Sequence, residues 1–411
     1  MNKNKEIEVE ISNGDSKSCV MDVALELPAT WSEFFDALQK ARIADPRHCN
    51  NEILTMRHVQ KCLRRPIGRN VNLLELNLLA QRMTMLTEEQ MLGFEGLLQM
   101  ELPAESGSVP LPKLINLTFC TDQCRVTANV RCDRELGMLL LDSDMLPAEA
   151  AHLFAATEPD SEYRNSLLEV FGKKHREDAG GVFIDQSYIE TIGEIGSVYI
   201  PGQMAYFDRT GAPVVLKACR DRSDTSAGHL IVTLDLPASE KGISRALEAA
   251  DAASGDERVF QCVDCLIPSV RPIIDNAIQT GGFEQVKEFA ELLAAKERIW
   301  SEANLITYKA VLEACGCTDL EDATKLAEEL SQYEILPEIA QTWDYAELIL
   351  RERYPDIPAA LFQTPQASQI GGQMLEQNDA ALTSYGLVRR RDGQPLPEFR
   401  PEPGGITQEM V

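Results

Sequence analysis

A chain of 411 residues is too long for one ordinary hydrophobic core, so length alone implies two to three domains. Its 44% hydrophobic and 25% charged residues, with 21 Pro and 25 Gly, exclude a disordered polymer and fit a globular, helix-rich protein. The formal charge of −26 repels nucleic acid and anionic membranes and favours basic partners, with an association rate that falls as salt screens it.

That charge equals the charge on about 13 base pairs of duplex, at roughly one per 1.7 Å of axis. Solubility alone is the simpler account of such acidity. The opening MNKNKEIEVE is polar, and the longest apolar runs, such as GMLLLD, fall short of the roughly 20 residues that cross a bilayer. A cytoplasmic location is expected. Eleven cysteines, an odd number scattered through segments such as LTFC and VLEACGC, read as reduced core thiols rather than a disulfide framework.

In chain order, residues 1–20 form an N-terminal segment, and VALELPATWSEFFDALQKARI at 23–43 then reads as strand, turn and helix. Val23, Leu25 and Leu27 alternate as in a strand, Pro28 stops it, Thr30 with Glu33 makes a capping box, and Phe34, Leu38 and Ala41 line one helical face. In LNLLAQRMTMLTEEQMLGFEGLLQM at 76–100, Leu76, Leu79, Met83 and Leu86 precede a second capping box at Thr87 and Gln90, after which Met91, Phe94 and Leu98 follow. This is a helix pair with a very short connection. From 191 to 230, GSVYIPGQMAYFDRTGAPVVLKACR shows short strand-like runs between turn signals and is expected to complete a sheet.

Beyond this junction the pattern returns. VTLDLPASEKGISRALEAADAA at 232–253 repeats the strand and helix with Ser239 as N-cap, and AELLAAKERIWSEANLITYKAVLEA at 290–314 repeats the helix pair, with Tyr308, Val311 and Leu312 standing for Phe94, Leu97 and Leu98. RELGMLLLDSDMLPAE at 134–149 is echoed by YAELILRERYPDIPAA at 345–360, and GGVFIDQSYIE at 180–190 by AALTSYGLVRR at 380–390. Recurrence in one order implies an internal duplication. The expected architecture is α+β, with tandem units at 21–190 and 231–390, a β-rich junction at 191–230, and a Pro- and Gly-rich tail at 391–411 that is extended or mobile.

Chemistry-bearing constellations are sparse. Cys262 with Cys265 and Cys315 with Cys317 contain enough thiols for one zinc ion, but the pairs are about fifty residues apart and no His stands nearby. The histidines His48, His58, His152, His175 and His229 lie in unrelated contexts, and no GxSxG or HExxH motif occurs. Gly180-Gly181 and Gly371-Gly372 lack the lysine of a phosphate loop and read as turns. The basic runs KCLRRPIGR at 61–69 and RRR at 389–391 read as solvated surface or local counter-charge. No enzyme, metal site or cofactor is expected.

The acids form the informative pattern. Between Phe283 and Asp356 they outnumber bases by more than two to one. Glu284, Glu288 and Glu291 follow i, i+4, i+7 on a helical face opposite Phe283, Val286, Ala290 and Leu293, which sets carboxylates roughly 5–6 Å apart. A second helix expected at 320–331 carries Glu321, Asp322, Glu328 and Glu329. With Glu297 and Glu313 these acids make up the candidate binding face. Helices packed about 8–10 Å apart could lay them out in two dimensions at spacings comparable to phosphates.

LELPATWSEFFDALQKARI, NLLELNLLAQRMTMLTEEQMLGFEGLLQM, LPKLINLTFCTDQCRV and GGVFIDQSYIE together resemble the antirestriction protein ArdA family of conjugative elements. In that family an LPA turn leads a short helix, and an LNxLAxxLxxLxxxExxxFxxLL helix pair follows, here Leu76, Asn77, Leu79, Ala80, Phe94 and Leu97. The resemblance implies small α/β domains strung into an elongated, acidic homodimer that mimics B-form DNA and occupies the DNA-binding channel of type I restriction-modification enzymes. Repetition of the module then lengthens the imitation duplex. The expected partner is that basic channel, with no direct contact to nucleic acid or membrane. The alternative is an acidic scaffold of a mobile element that binds a basic protein without DNA geometry. An enzyme using the cysteine pairs, the third reading, would hold zinc or a thiol of low pKa.

Overall fold

The computed structural model describes residues 5–13, 22–57, 67, 69–102, 109–158, 161–207, 209–219, 232–251, 255–362, 364–377 and 379–399. The chain begins with β1 (Ile7–Ser12), β2 (Val23–Leu27), α1 (Trp31–Lys40), β3 (Asn50–Met56), α2 (Leu73–Met85), α3 (Glu88–Glu101) and α4 (Leu111–Thr118). It continues with β4 (Cys124–Ala128), α5 (Asp133–Asp142), α6 (Ala148–Ala155), α7 (Glu162–Ala179), β5 (Val182–Ile184) and β6 (Ser187–Thr191). A second series opens with β7 (Val214–Ala218), β8 (Val232–Leu236), α8 (Glu240–Ala249), β9 (Phe260–Cys265), α9 (Arg271–Thr280), α10 (Phe283–Glu297), α11 (Glu302–Cys315) and α12 (Leu320–Glu328). It closes with β10 (Tyr333–Leu336), α13 (Thr342–Arg353), α14 (Pro365–Gln377), β11 (Ala381–Thr383) and β12 (Gly386–Arg390).

The fold is α+β, and the two series follow one plan. Three-stranded sheets ordered β2–β1–β3 and β4–β6–β5 recur as β8–β7–β9 and β10–β12–β11. Each series opens on the central strand of its first sheet, so β7, inside the junction, organises the second copy. The junction's other apolar run, at 197–200, joins no strand. Among the described residues no helix is long and apolar enough to cross a membrane.

Local chemistry explains the helix starts. The Glu33 N–H donates to Thr30 Oγ1 at 3.2 Å while Thr30 N–H donates to Glu33 Oε2 at 3.0 Å, and Thr87 and Gln90 exchange the same two bonds at 3.2 and 3.1 Å. Each box satisfies amide groups that the first helical turn leaves without partners. At the start of α8, Ser239 Oγ accepts the Gly242 N–H at 3.3 Å.

Contacts divide the chain into two compact units. One comprises Met1–Glu10, Leu25–Pro28 and Asp45–Tyr206, the other Ile11–Ala24, Ala29–Ala44 and Phe207–Val411. In the first unit α2 is buried nearly all round, including Glu75 and Asn77, as its run LLELNLLA requires. The segment after β6 lies against α4 and α2. Asn116 holds it, donating from Nδ2 to Gly196 O at 2.7 Å and accepting the Val198 and Tyr199 N–H groups on Oδ1 at 2.6 and 2.9 Å. The Tyr199 hydroxyl donates to the buried Glu75 Oε1 at 3.0 Å. These bonds take backbone groups of residues 196, 198 and 199 that a strand ladder would use, and the run at 197–200 pairs with no strand.

Helices α5 and α7 cross so closely that a Cβ on Gly172 would lie 1.8 Å from Asp133 O, and one on Gly137 2.0 Å from Leu168 O. The second unit repeats the crossing with α13 and α14, where a Cβ on Gly371 would lie 1.8 Å from Thr342 O. Its core joins the sheet residues Val214, Leu216 and Leu236 to Phe283, Val286 and Leu293 of α10 and Tyr308 and Val311 of α11. Helix α1 belongs to this unit and is fastened through polar groups. Thr30 Oγ1 donates to Asp264 Oδ1 at 2.7 Å, Arg271 pairs with Glu33, and Asp36 Oδ1 accepts from Lys309 Nζ and from the Tyr385 hydroxyl, each at 2.7 Å.

Candidate acidic interface on the second unit

Helix α10 forms because Phe283, Val286, Phe289, Ala290 and Leu293 recur at helical spacing, and all of them are buried. This fixes Glu284, Glu288 and Glu291 on the opposite side, and all three are exposed. Helix α12 is N-capped by Asp319, whose Oδ1 accepts the Asp322 N–H at 2.8 Å, and it buries Leu320, Ala323, Leu326 and Ala327. It packs against α10. Glu321 and Glu328 are exposed on it.

The helix ends at Glu328 rather than at 331, and a 3₁₀ turn at Leu330–Gln332 leads into β10. Glu329 is therefore the C-cap residue, and both it and Asp322 are half-buried. Burial first, then the neighbouring charges of Asp319 and Glu321, push the Asp322 carboxyl above its ordinary value.

The remaining acids have internal partners. Glu313 Oε1 accepts from Ser384 N–H at 2.8 Å and Ser384 Oγ at 2.9 Å, so it fastens the β11–β12 turn. Glu297 pairs with Arg209 at 3.2 Å. Glu284 pairs with Lys287 at 3.0 Å, and the same ammonium reaches Glu240 of α8 at 2.7 Å. Those two bonds raise the Lys287 pKa. The acids left exposed are thus Glu284, Glu288 and Glu291 on α10 and Glu321 and Glu328 on α12, with Lys287 beside Glu284 on α10 and Lys325 on α12. Lys287 was legible as an i, i+3 partner of Glu284. The partners of Glu313 and Glu297 lie too far along the chain to be read from spacing.

The basic run at 389–391 is spent locally: Arg389 and Arg391 contact Glu334 at 2.5 and 3.5 Å, and Arg390 contacts Asp392 at 2.6 Å. Of the run at 61–69, Arg69 pairs with Glu52 at 2.6 Å, while Lys61, Arg64 and Arg65 lie outside the described residues.

No protein-family model, curated protein or solved structure matches this chain.

The paired cysteines sit in a setting that suppresses thiolate chemistry. Burial pushes the Cys265 and Cys315 thiols up to about 12 and that of Cys317 up to about 11, and the Cys262 thiol is raised as well. Among the described residues no group of three or more His, Cys, Asp or Glu side chains is arranged to hold a metal ion. The cavity beside Arg258 and Phe283 measures about 280 Å³, and that beside Lys40 and Arg42 about 260 Å³. Both are smaller than the roughly 300–1,000 Å³ of most small-molecule sites.

Proposed function

We propose that the chain is a non-enzymatic, DNA-mimicking inhibitor of a DNA-binding defence enzyme, with type I restriction-modification as its first target, acting in the cytoplasm as a homodimer. The observation that carries this reading is the row Glu284, Glu288 and Glu291, exposed on a helix whose other face is locked into the core. Carboxylates held one turn apart on a rigid element need little ordering on binding, so a basic channel meets them preorganised. The net charge of −26 supplies long-range attraction, and the arginines at 389–391 are each already in contact with Glu334 or Asp392. The pattern shared with the ArdA family supports the same target class.

A competition assay tests it. Protein titrated into a type I restriction-modification enzyme bound to labelled duplex should displace the DNA, less well at high salt. Changing Glu288, Glu291, Glu321 and Glu328 together to Gln should weaken displacement by about tenfold or more, on the scale of 1.4 kcal/mol per tenfold. DNA that stays bound at every protein concentration counts against the reading.

Lys287 and Lys325 favour a second reading, because each breaks a row of acids and a phosphate backbone has no such interruption. It is an acidic scaffold that binds a basic protein without DNA geometry. Duplex DNA would then fail to compete for the partner.

A further inference from the structure

We infer that the cavity at the end of α1 is an anion site for free phosphate or a phosphate monoester, with Lys40 and Arg42 as its cationic wall. It uses none of the exposed acids of α10 and α12 and stands whether or not they bind a partner.

The cavity measures about 260 Å³, roughly an order of magnitude more than the ~30 Å³ of one water, and Asp22, Lys40, Arg42, Ala340, Thr383 and Ser384 line it. All six belong to the second compact unit. Helix α1 ends at Lys40, Ala41 caps it, and Arg42 follows with φ 55°, a left-handed conformation that suits Gly, Asn or Asp far better than Arg. The Ile43 N–H then closes the turn on Leu38 O at 2.9 Å.

The second copy shows what this turn needs. Helix α8 ends at Ala249, Ala250 caps it with φ −81° against −77° for Ala41, and Asp251 follows with φ 52°. The same turn thus forms with alanine where Lys40 stands, and with a residue better suited to left-handed backbone where Arg42 stands. Turn geometry accounts for neither cation.

Their charge is not fully spent within the chain. Lys40 Nζ lies 3.0 Å from Asp36 Oδ2, but Lys309 already compensates Asp36 at 2.7 Å, so the two ammonium groups carry one positive charge in excess. Arg42 donates to Pro337 O, and among the described residues it pairs with no carboxylate. A guanidinium has five donors in a planar fork that fits phosphate oxygens two at a time, so one bond to a carbonyl leaves most of its capacity unused. Two acids stand nearby. Glu313 is taken by the Ser384 N–H and hydroxyl at 2.8 and 2.9 Å, and Asp22 is exposed on the lining. Asp22 favours phosphate over a carboxylate ligand, because a protonated phosphate oxygen can donate to it and an ionised carboxylate has no donor.

Thermal unfolding of the full chain against inorganic phosphate and against glycerol phosphate, at constant ionic strength, tests this. Saturable stabilisation gives the dissociation constant through its dependence on ligand concentration. Arg42→Asn keeps a residue suited to left-handed backbone and removes the charge, and Lys40→Ala copies Ala249. Each should weaken binding about tenfold, the loss of one charge-assisted contact. Without phosphate, Arg42→Asn should melt no lower than the natural chain. General salting-out by phosphate stabilises all three proteins alike and cancels in the comparison. Tighter binding of glycerol phosphate supports a monoester as the ligand, and tighter binding of inorganic phosphate supports the free ion. No saturable response of the natural chain to either probe, or an equal response in the natural chain and both variants, overturns the inference. An Arg42→Asn protein that melts several degrees lower without phosphate, yet responds to it as the natural chain does, would overturn it too and make Arg42 a prop for Pro337 O.

Discussion

The ammonium of Lys309 on α11 lies 2.7 Å from Asp36 Oδ1 on α1, and both side chains are less than a tenth exposed. The Tyr385 hydroxyl shares that oxygen, and Lys40 holds Oδ2 at 3.0 Å. A buried carboxylate so fully partnered costs little, whereas stripping away its main cation leaves a charge without compensation. Lys309→Met is therefore expected to lower unfolding free energy by about 3–5 kcal/mol, and the double change with Asp36→Asn by less. Urea unfolding of both variants checks this, and a double variant no more stable than the single one would refute it.

The same pair sets a pH dependence. Burial pushes the Asp36 carboxyl up, but the charges of Lys309 and Lys40 and the hydrogen bonds from Lys309 and Tyr385 outweigh it and leave it below its ordinary value. A carboxyl depressed on folding contributes stability that is complete above its unfolded pKa, about 3.9, and is lost as pH falls through the folded value. The stability gap between the natural chain and Asp36→Asn should stay constant from about pH 7 to 5 and close below about pH 4. Glu257 runs the other way. Burial first, then Glu240 and Glu284 against the pull of Lys287, raise its carboxyl, so acid relieves rather than removes its contribution.

Gly172 and Gly371 mark the same crossing in the two copies. Because an added Cβ would meet a helix carbonyl at 1.8 Å in each, Gly172→Ala and Gly371→Ala should each destabilise by about 1–3 kcal/mol through forced separation of the helices. Thermal unfolding of the single variants measures the two crossings separately. An unchanged melting temperature in both would show that the helices can part freely.

Cross-strand ion pairs offer a third handle. Glu334 stands opposite Arg389, and reversing it to Arg sets like charges side by side, at a cost of up to about 1 kcal/mol. Adding Arg389→Glu should recover most of that loss. Denaturant midpoints of the three proteins decide it, and a double variant as unstable as the single one would mean the pair is not coupled.

Local signals carried much of this fold. Both capping boxes, the strand–helix openings at Val23 and Val232 and the helix pairs around Phe94 and Tyr308 follow from residues within one or two turns of each other. The third echo was harder. Leucine matching pairs Arg134 with Tyr345, but α5 and α13 are capped by Cys132 and Gln341, a register two residues away, because a run of apolar residues matches itself at several offsets. Exposure of Glu288 and Glu291 was legible from the amphipathic period. The fastening of Glu313 to Ser384, of Asp36 to Lys309 and of Asn116 to residues 196–199 depends on tertiary neighbours that no window of sequence contains.

Arg125 stands opposite Glu190 on β4 and β6, and Glu334 opposite Arg389 on β10 and β12, so the two copies carry the same pair with its signs exchanged. A chain that contains one fold twice risks threading a strand of one half into the sheet of the other while it folds. Here such a hybrid would set Arg125 against Arg389, or Glu334 against Glu190. Like charges side by side would cost either hybrid up to about 1 kcal/mol, so the inverted pair weighs against each half borrowing a strand from the other.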